Sequence, residues 1–330
     1  MGQGLQGRKR SGQLVWGYAF AVAVLMSVGY AQPVITSASS SASGLTVIAP
    51  DSLSSVYGSG LSDAIYSAAA LPLPKKLGPS EVFFCAGATI TPDCLSVDLL
   101  YVSPKQINFH APAVSLNKTP TIILRVGAST ASISPNGSLT SPGPIWAVGP
   151  YAPGIFVMGY DCAIDARDRD NNKNCGLTWQ QTLTGQVSRG AITDAKGNVL
   201  TSSNRAKIGA AYTIWMTGIG LPVNGAYGSS LSFTLFSVPF GYGGAANYAT
   251  TPLFLGPSPE FPGLDQLNFV LPLEMVYDTR PGGYGSWPCG DWDFEVGVGI
   301  IQGAFPQEQI VYANDVSIPV HVTKGDVPCK

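Results

Sequence analysis

Polar and apolar residues alternate along this chain in short bursts, with a period of two. The segments LTVIAP, SEVFFC, LSVDLLYV, PTIILRVG, YTIWMTG, SLSFTLFSV, DFEVGVGII, QIVYAN and VSIPVHV are rich in β-branched and aromatic residues. Clusters of Gly, Pro, Asn and Asp separate them, which is the pattern of many short strands joined by turns. The alternation is strictest in Gln106-Ile107-Asn108-Phe109 and in Gln266-Leu267-Asn268-Phe269. Ile107, Phe109, Leu267 and Phe269 are predicted to face a core, with Gln and Asn on the opposite face, where their amides can hydrogen-bond neighbours. Pro112 and Pro272 then end each ladder, because proline has no N–H to donate. In AITDAKGNVL the Lys196-Gly197-Asn198 turn predicts a hairpin. One stretch, LSDAIYSAAALP (61–72), reads as a short helix.

The two Gln-x-Asn-Phe phrases stand 160 residues apart, and a second match keeps the same offset. SVYGSGL (55–61) aligns with WMTGIGL (215–221), pairing Gly58 with Gly218, Gly60 with Gly220 and Leu61 with Leu221. Two matches in one register indicate an internal duplication. Several strands per copy, with turn signals between them, predict an all-β chain of two tandem immunoglobulin-like β-sandwiches. The expected boundaries are a Ser/Ala-rich leader over 32–43, a first sandwich over 44–145 and a second over 146–330. The Pro- and Gly-dense stretch 141–156 marks the division.

The first 31 residues change the picture of the compartment. Arg8, Lys9 and Arg10 precede an apolar run from Leu14 to Val28, and Gly29-Tyr30-Ala31 offers small residues at a cleavage site. This is the layout of a secretory signal peptide cut after Ala31, and the run is short for a membrane span. The whole chain carries 18 Lys+Arg and 20 Asp+Glu. Removing three basic residues leaves 15 against 20, so the mature chain is weakly acidic. Nucleic acid is excluded as a partner, since phosphate binding needs clustered Lys and Arg. No long apolar run follows the leader, so the mature chain is expected to be secreted, on the cell surface or periplasmic, without a membrane span.

Six cysteines follow the leader, and an even number in an exported chain reads as disulfides. Cys85 and Cys94 flank AGATITPD and can face each other across a hairpin. Cys162 and Cys175 bracket a polar loop, and Cys289 remains for Cys329. CxxC or Cys/His spacing for a metal is absent.

Candidate chemistry is sparse. The two histidines differ in setting: His110 stands where the other copy has Val270, and His321 lies in the last alternating segment. The position of His110 is therefore not one that the repeated fold reserves for chemistry. There is no Gly-x-Ser-x-Gly elbow for a Ser-His-Asp hydrolase. Asp168, Asp170 and Asn172 alternate as in a calcium loop, but Lys173 and Trp179 stand where that loop needs Gly and Glu. They are the nearest approach to a metal site, in a segment that reads as a solvated loop. Trp215 is expected in the core. Trp287 and Trp292 flank Cys289 within a loop, and with Tyr284 they form the candidate binding surface.

These residues also carry a resemblance. LTVIAPDSLSSVYGSGL, LPLPKKLG, LLYVSPKQINFHAP, YAPGIF, RGAI, YTIWMTGIGLP and GLDQLNFVLP occur in the order of a family of uncharacterised secreted bacterial proteins of acidobacterial type. Its members carry YVSPxQINFQVP and APGIF in a C-terminal domain, and the similarity spans about 45–320. It implies a β-rich tandem module on an exported protein, with no catalytic residue or cofactor to carry over. The chain departs from that pattern at CAGATITPDC, at the Cys162–Cys175 loop and at YDTRPGGYGSWPCGDWD, and each departure contains cysteine. Loops on a rigid scaffold are where binding residues concentrate. The expectation is a non-enzymatic extracellular module for adhesion, matrix structure or protein interaction. The alternatives are a carbohydrate-binding module, with extracellular polysaccharide as partner, and a divergent hydrolase.

Overall fold

A computed structural model describes residues 32–114, 120–135, 146–162, 186–221, 232–239, 246–249, 252–273, 277–278, 285–286, 289–302 and 309–323. They form two β-sandwiches in tandem. In the first, one sheet has the order β1 (Val34–Ser40), β3 (Leu53–Ser59), β8 (Gln106–His110), β7 (Asp98–Val102) and β4 (Tyr66–Ser67). The other has the order β10 (Ser129–Ile133), β9 (Thr121–Val126), β5 (Ser80–Cys85) and β6 (Leu95–Ser96). A parallel pair, β2 (Val47–Ile48) with β11 (Ala147–Val148), completes it.

In the second sandwich one sheet runs β12 (Gly154–Ile155), β16 (Ala211–Thr217), β20 (Asp265–Val270) and β19 (Phe254–Pro257), and β15 (Ile192–Asp194) also pairs with β16. The other sheet runs β13 (Val157–Cys162), β14 (Gln186–Gly190), β25 (Val316–Val322), β23 (Gly290–Gln302), β17 (Ser232–Pro239) and β18 (Ala246–Ala249). There, β24 (Gln309–Tyr312) pairs with β23, while β21 (Tyr277–Asp278) and β22 (Gly285–Ser286) form a ladder of their own. Among the described residues no helix is long and apolar enough to cross a membrane.

Alternation in the sequence becomes two faces in the structure. Val56, Ile107 and Phe109 of one sheet pack against Val82, Phe84, Ile122 and Leu124 of the other. Phe84 meets Phe109 and Trp146 edge-on, at centroid distances of 5.8 and 6.3 Å, the geometry that aromatic quadrupoles favour. In the second sandwich Ile214, Leu267 and Phe269 pack with Phe294, Val296 and Ile318. Phe109 and Phe269 are both fully buried.

The duplication is visible in the ladders. Strands β3 and β8 pair antiparallel, with Val56 opposite Ile107 and Tyr57 opposite Gln106. Strands β16 and β20 pair likewise, with Ile214 opposite Leu267 and Trp215 opposite Gln266. Tyr57 therefore corresponds to Trp215, and Gly60 (φ 64) to Gly218 (φ 83). This moves the glycine match two residues from its sequence alignment. Glycine recurs at a spacing of two in both copies, so identity survives that slip. The buried pair becomes Leu61 with Ile219. In the other sheets, the order β10-β9-β5-β6 repeats as β25-β23-β17-β18.

Three expectations are corrected. Residues 32–43 are not a leader: β1 lies within them and pairs with β3, with Ile35 and Ala38 buried. Polar Ser and Thr at the other positions hide that strand in the sequence. The second sandwich does not begin at 146, because Trp146 is wholly buried in the first core and β11 pairs with β2. Residues 61–72 are bends and irregular chain around β4 rather than a helix. The Lys196-Gly197-Asn198 turn is present, with Gly197 at φ 82 and the Asp194 carboxylate accepting the N–H groups of Lys196 and Asn198. Chiefly the Asn198 side chain, and then its backbone N–H, hold the Asp194 carboxyl below its ordinary value.

Candidate functional site

Two surfaces gather chemically distinctive side chains: the outer faces of the two repeated ladders, and the junction between the sandwiches. On the first outer face, Asn108 Oδ1 accepts from Ser55 Oγ (3.0 Å) and from Gln106 Nε2 (2.7 Å). On the second, Thr213 Oγ1 donates to Asn268 Oδ1 (2.9 Å). The repeated asparagine thus has one job in both copies, holding the hydroxyl of the neighbouring strand. Trp215 shares this second face. It is half-buried rather than part of the core, and its Nε1 donates to Thr193 Oγ1 (3.1 Å). The ladder opposite Gln266 places it there, against the sequence expectation.

The junction is built from the start of β3 and the end of β8 in the first sandwich. The end of β16, the start of β20 and the turn before β20 oppose them from the second. Thr217 is fully buried; its Oγ1 accepts the N–H of Leu53 (2.7 Å) and donates to the carbonyl of Gly263 (2.6 Å). A Cβ on Gly263 would stand 2.8 Å from the His110 ring and 3.0 Å from Leu53, so a side chain has no room there. Likewise a Cβ on Gly154 would meet the backbone of Ser43 at 2.7 Å. At Gly154 the sandwiches touch through backbone, while at Gly263, whose φ is also positive at 76, the turn lies directly on the His110 and Leu53 side chains.

His110 sits in this junction between two carboxylates. Its Nε2 is 2.7 Å from Asp51 Oδ1 and its Nδ1 is 3.7 Å from Asp98 Oδ2. Lys75 extends the row, 2.8 Å from Asp98 Oδ1. Asp51 holds φ at 59, a left-handed conformation that its counterpart Gly209 also adopts, at 75. Sequence reading set His110 aside because the other copy has Val270; the pairing of Leu53 with His110 and of Asp98 with His110 brings the cluster together. Each ring nitrogen faces a carboxylate, and no hydroxyl among the described residues bonds to the ring. The arrangement ties the Asp51 turn to the start of β7.

Asp265, nearby, is buried and accepts the Ile219 N–H (3.1 Å). Burial pushes its carboxyl well above the ordinary carboxylate range, against the lowering effect of that bond, and the Asp51 charge adds to the rise. The second histidine, His321, pairs with Asp291 (2.7 Å), which also lies 3.5 Å from Arg205.

The predicted sites divide. The Cys85–Cys94 disulfide is formed. Cys289 is disulfide-bonded, while its expected partner Cys329 lies outside the described residues, as does Cys175, the expected partner of Cys162. Asp168, Asp170, Asn172, Tyr284 and Trp287 also lie outside them. Trp292 belongs to β23, opposite Val320, and not to a loop. Among the described residues no three His, Cys, Asp or Glu side chains form a group that could hold a metal.

No protein-family model matches the chain, and no curated protein matches it. Among solved structures, the FN1–FN3 domains of chicken CNTN1 are similar at 9% identity and a TM-score of 0.16, over 86% of this chain and 67% of that one. A chicken TCR is similar at 9% identity and a TM-score of 0.16, over 84% and 96%. At such scores the superpositions carry no argument, and the fold rests on the sheets and registers described above.

Proposed function

We propose that the protein is a non-enzymatic module of the extracellular space or cell surface, serving adhesion, matrix structure or protein interaction. The observation that carries this reading is the junction. A buried hydroxyl relay from Leu53 through Thr217 to Gly263 fixes one sandwich against the other. Such a unit holds its surfaces at a set spacing, which suits attachment and scaffolding. The signal-peptide layout of residues 1–31 and the Cys85–Cys94 disulfide support export. The YVSPKQINF and APGIF phrases support kinship with the secreted acidobacterial-type family.

The test uses purified mature protein and the extracellular fraction of the producing cells, immobilised on a sensor surface. Retention that proteinase treatment of the surface abolishes, and periodate treatment does not, is the expected result. No retention, or turnover of esters or polysaccharides by the pure protein, would overturn the reading. A second reading, polysaccharide binding, is favoured by the half-exposed Trp215 beside Gln266, Thr213 and Asn268. Periodate, which cleaves vicinal diols, would then abolish retention.

A further inference from the structure

The internal junction uses one end of the first sandwich, and the same end of the second sandwich is uncovered. Leu53 and His110, at the start of β3 and the end of β8, lie beneath the Gly263 turn. Their counterparts by register are Ala211 and Val270, paired at the start of β16 and the end of β20. Val270 is 37% exposed, and around it Leu253, Phe254 and Leu273 are 64%, 42% and 38% exposed. The carboxylate and the histidine have no counterpart at this end, where Gly209 stands for Asp51 and Val270 for His110, and Lys207 is exposed beside them. An exposed group of large apolar side chains in an exported chain marks a docking surface.

The complementary end is also present and uncovered, on the first sandwich. Val34 holds the position of Gly154 in the edge strand and is 50% exposed. Ser59, exposed, holds the position of Thr217 and keeps its hydroxyl. The Ser103-Pro104-Lys105 turn stands where Gly263-Leu264-Asp265 does, with Pro104 and Lys105 exposed. Among the described residues, the chain thus carries one filled junction and exposed residues at the two corresponding ends.

We infer that the exposed end of the second sandwich docks the first sandwich of another copy of this chain, head to tail in the sense of the internal junction but not identical to it: Val34 and Ser103 stand where that junction has Gly154 and Gly263, and the smaller Ala211 and Val270 stand where it has Leu53 and His110. The inference rests on the reading of the protein as an extracellular scaffold and names its partner. A head-to-tail contact of this kind is heterologous: each copy keeps one free head and one free tail, so association grows beyond a dimer, into open chains or, where the rotation closes, rings.

Sedimentation velocity of the mature protein over a concentration series tests it. The sedimentation coefficient is expected to rise with concentration, and Phe254→Asp or Val34→Asp should each abolish the rise. Leu95→Asp, which changes an exposed residue elsewhere on the first sandwich, should leave it intact. Mixing the Phe254→Asp and Val34→Asp proteins should give a one-to-one dimer and nothing larger, since one free head meets one free tail. That restoration also shows that both variants are folded. A wild-type chain that stays monomeric at every concentration, or a mixture that does, overturns the proposal. If that monomer still binds the extracellular fraction, the scaffold reading survives and self-docking does not. If Phe254→Asp abolishes that binding, the patch belongs to a different partner.

Discussion

In the first sandwich the edge strand β1 runs from Val34 to Ser40, with one register shift between Ile35 and Ser37. The second sandwich breaks the same edge in two. Ile155 in β12 stands opposite Met216, Ile192 in β15 stands opposite Ile214, and between them the chain leaves to form β13 and β14. That hairpin extends the other sheet beyond β25. The break falls at the point where the first copy has its bulge. A bulge already interrupts the ladder and bends the strand, so an insertion there removes no established pairing. The comparison shows how the second copy acquired new surface while its core took up only the half-buried Val157 from the inserted strands. The difference at the opposite end follows the same division of labour: charges and a buried turn where the copies meet, exposed apolar residues where they do not.

If the copies are equivalent in the core, removing the same ring from each should cost the same. Phe109→Ala and Phe269→Ala are each expected to destabilise their own sandwich by about 3–5 kcal/mol, read from urea unfolding. A loss under about 1 kcal/mol at either position is below that range and would break the equivalence. The disulfide, by contrast, should separate the copies. Replacing Cys85 and Cys94 with Ser is expected to cost about 2–3 kcal/mol by the loop-entropy account. That loss should fall on the first sandwich, with hydrogen exchange in β16 and β20 unchanged. Loss of protection in both sandwiches would mean that the bond supports more than its own edge.

At the junction, Thr217→Val leaves the Leu53 N–H and the Gly263 carbonyl without partners. Such a buried loss costs about 1–3 kcal/mol. Exchange at the Leu53 amide should accelerate while Phe109 stays protected; no change at Leu53 would remove the relay from the account. The smallest effect concerns pH. Burial raises the Asp265 carboxyl, so the folded chain holds that proton more tightly than the unfolded chain. Its contribution is full below the ordinary value of 3.8 and is lost as pH rises through the raised value. Asp265→Asn should therefore gain on the wild type as pH increases across that window. Parallel urea midpoints for the two proteins would contradict it.

Much of this was legible where side chains alternate cleanly. Gln-x-Asn-Phe gave away its strand, its buried phenylalanine and its repetition. The Val34–Ser40 strand was not legible, because its buried positions hold one isoleucine among small residues and its outer ones, apart from Val34, are Ser and Thr. Trp146 was missed because it follows a Pro- and Gly-rich stretch that reads as a linker. The side on which Trp215 lies depends on its partner strand, since alternation within one strand does not say which face is inside. The His110 cluster joins residues from three separate segments, and no spacing along the chain announces it.

The central claim is that the second sandwich is the first, opened at its bulge. Replacing residues 156–191 with the Thr-Ser dipeptide that joins Ile35 to Ala38 should restore one continuous edge strand. The account predicts a protein that still unfolds cooperatively in both sandwiches and shows no free thiol, because Cys162 and Cys175 leave together. A variant that loses cooperative unfolding of the second sandwich, or that exposes a thiol, would show that the inserted segment belongs to its core and that the copies do not share one design.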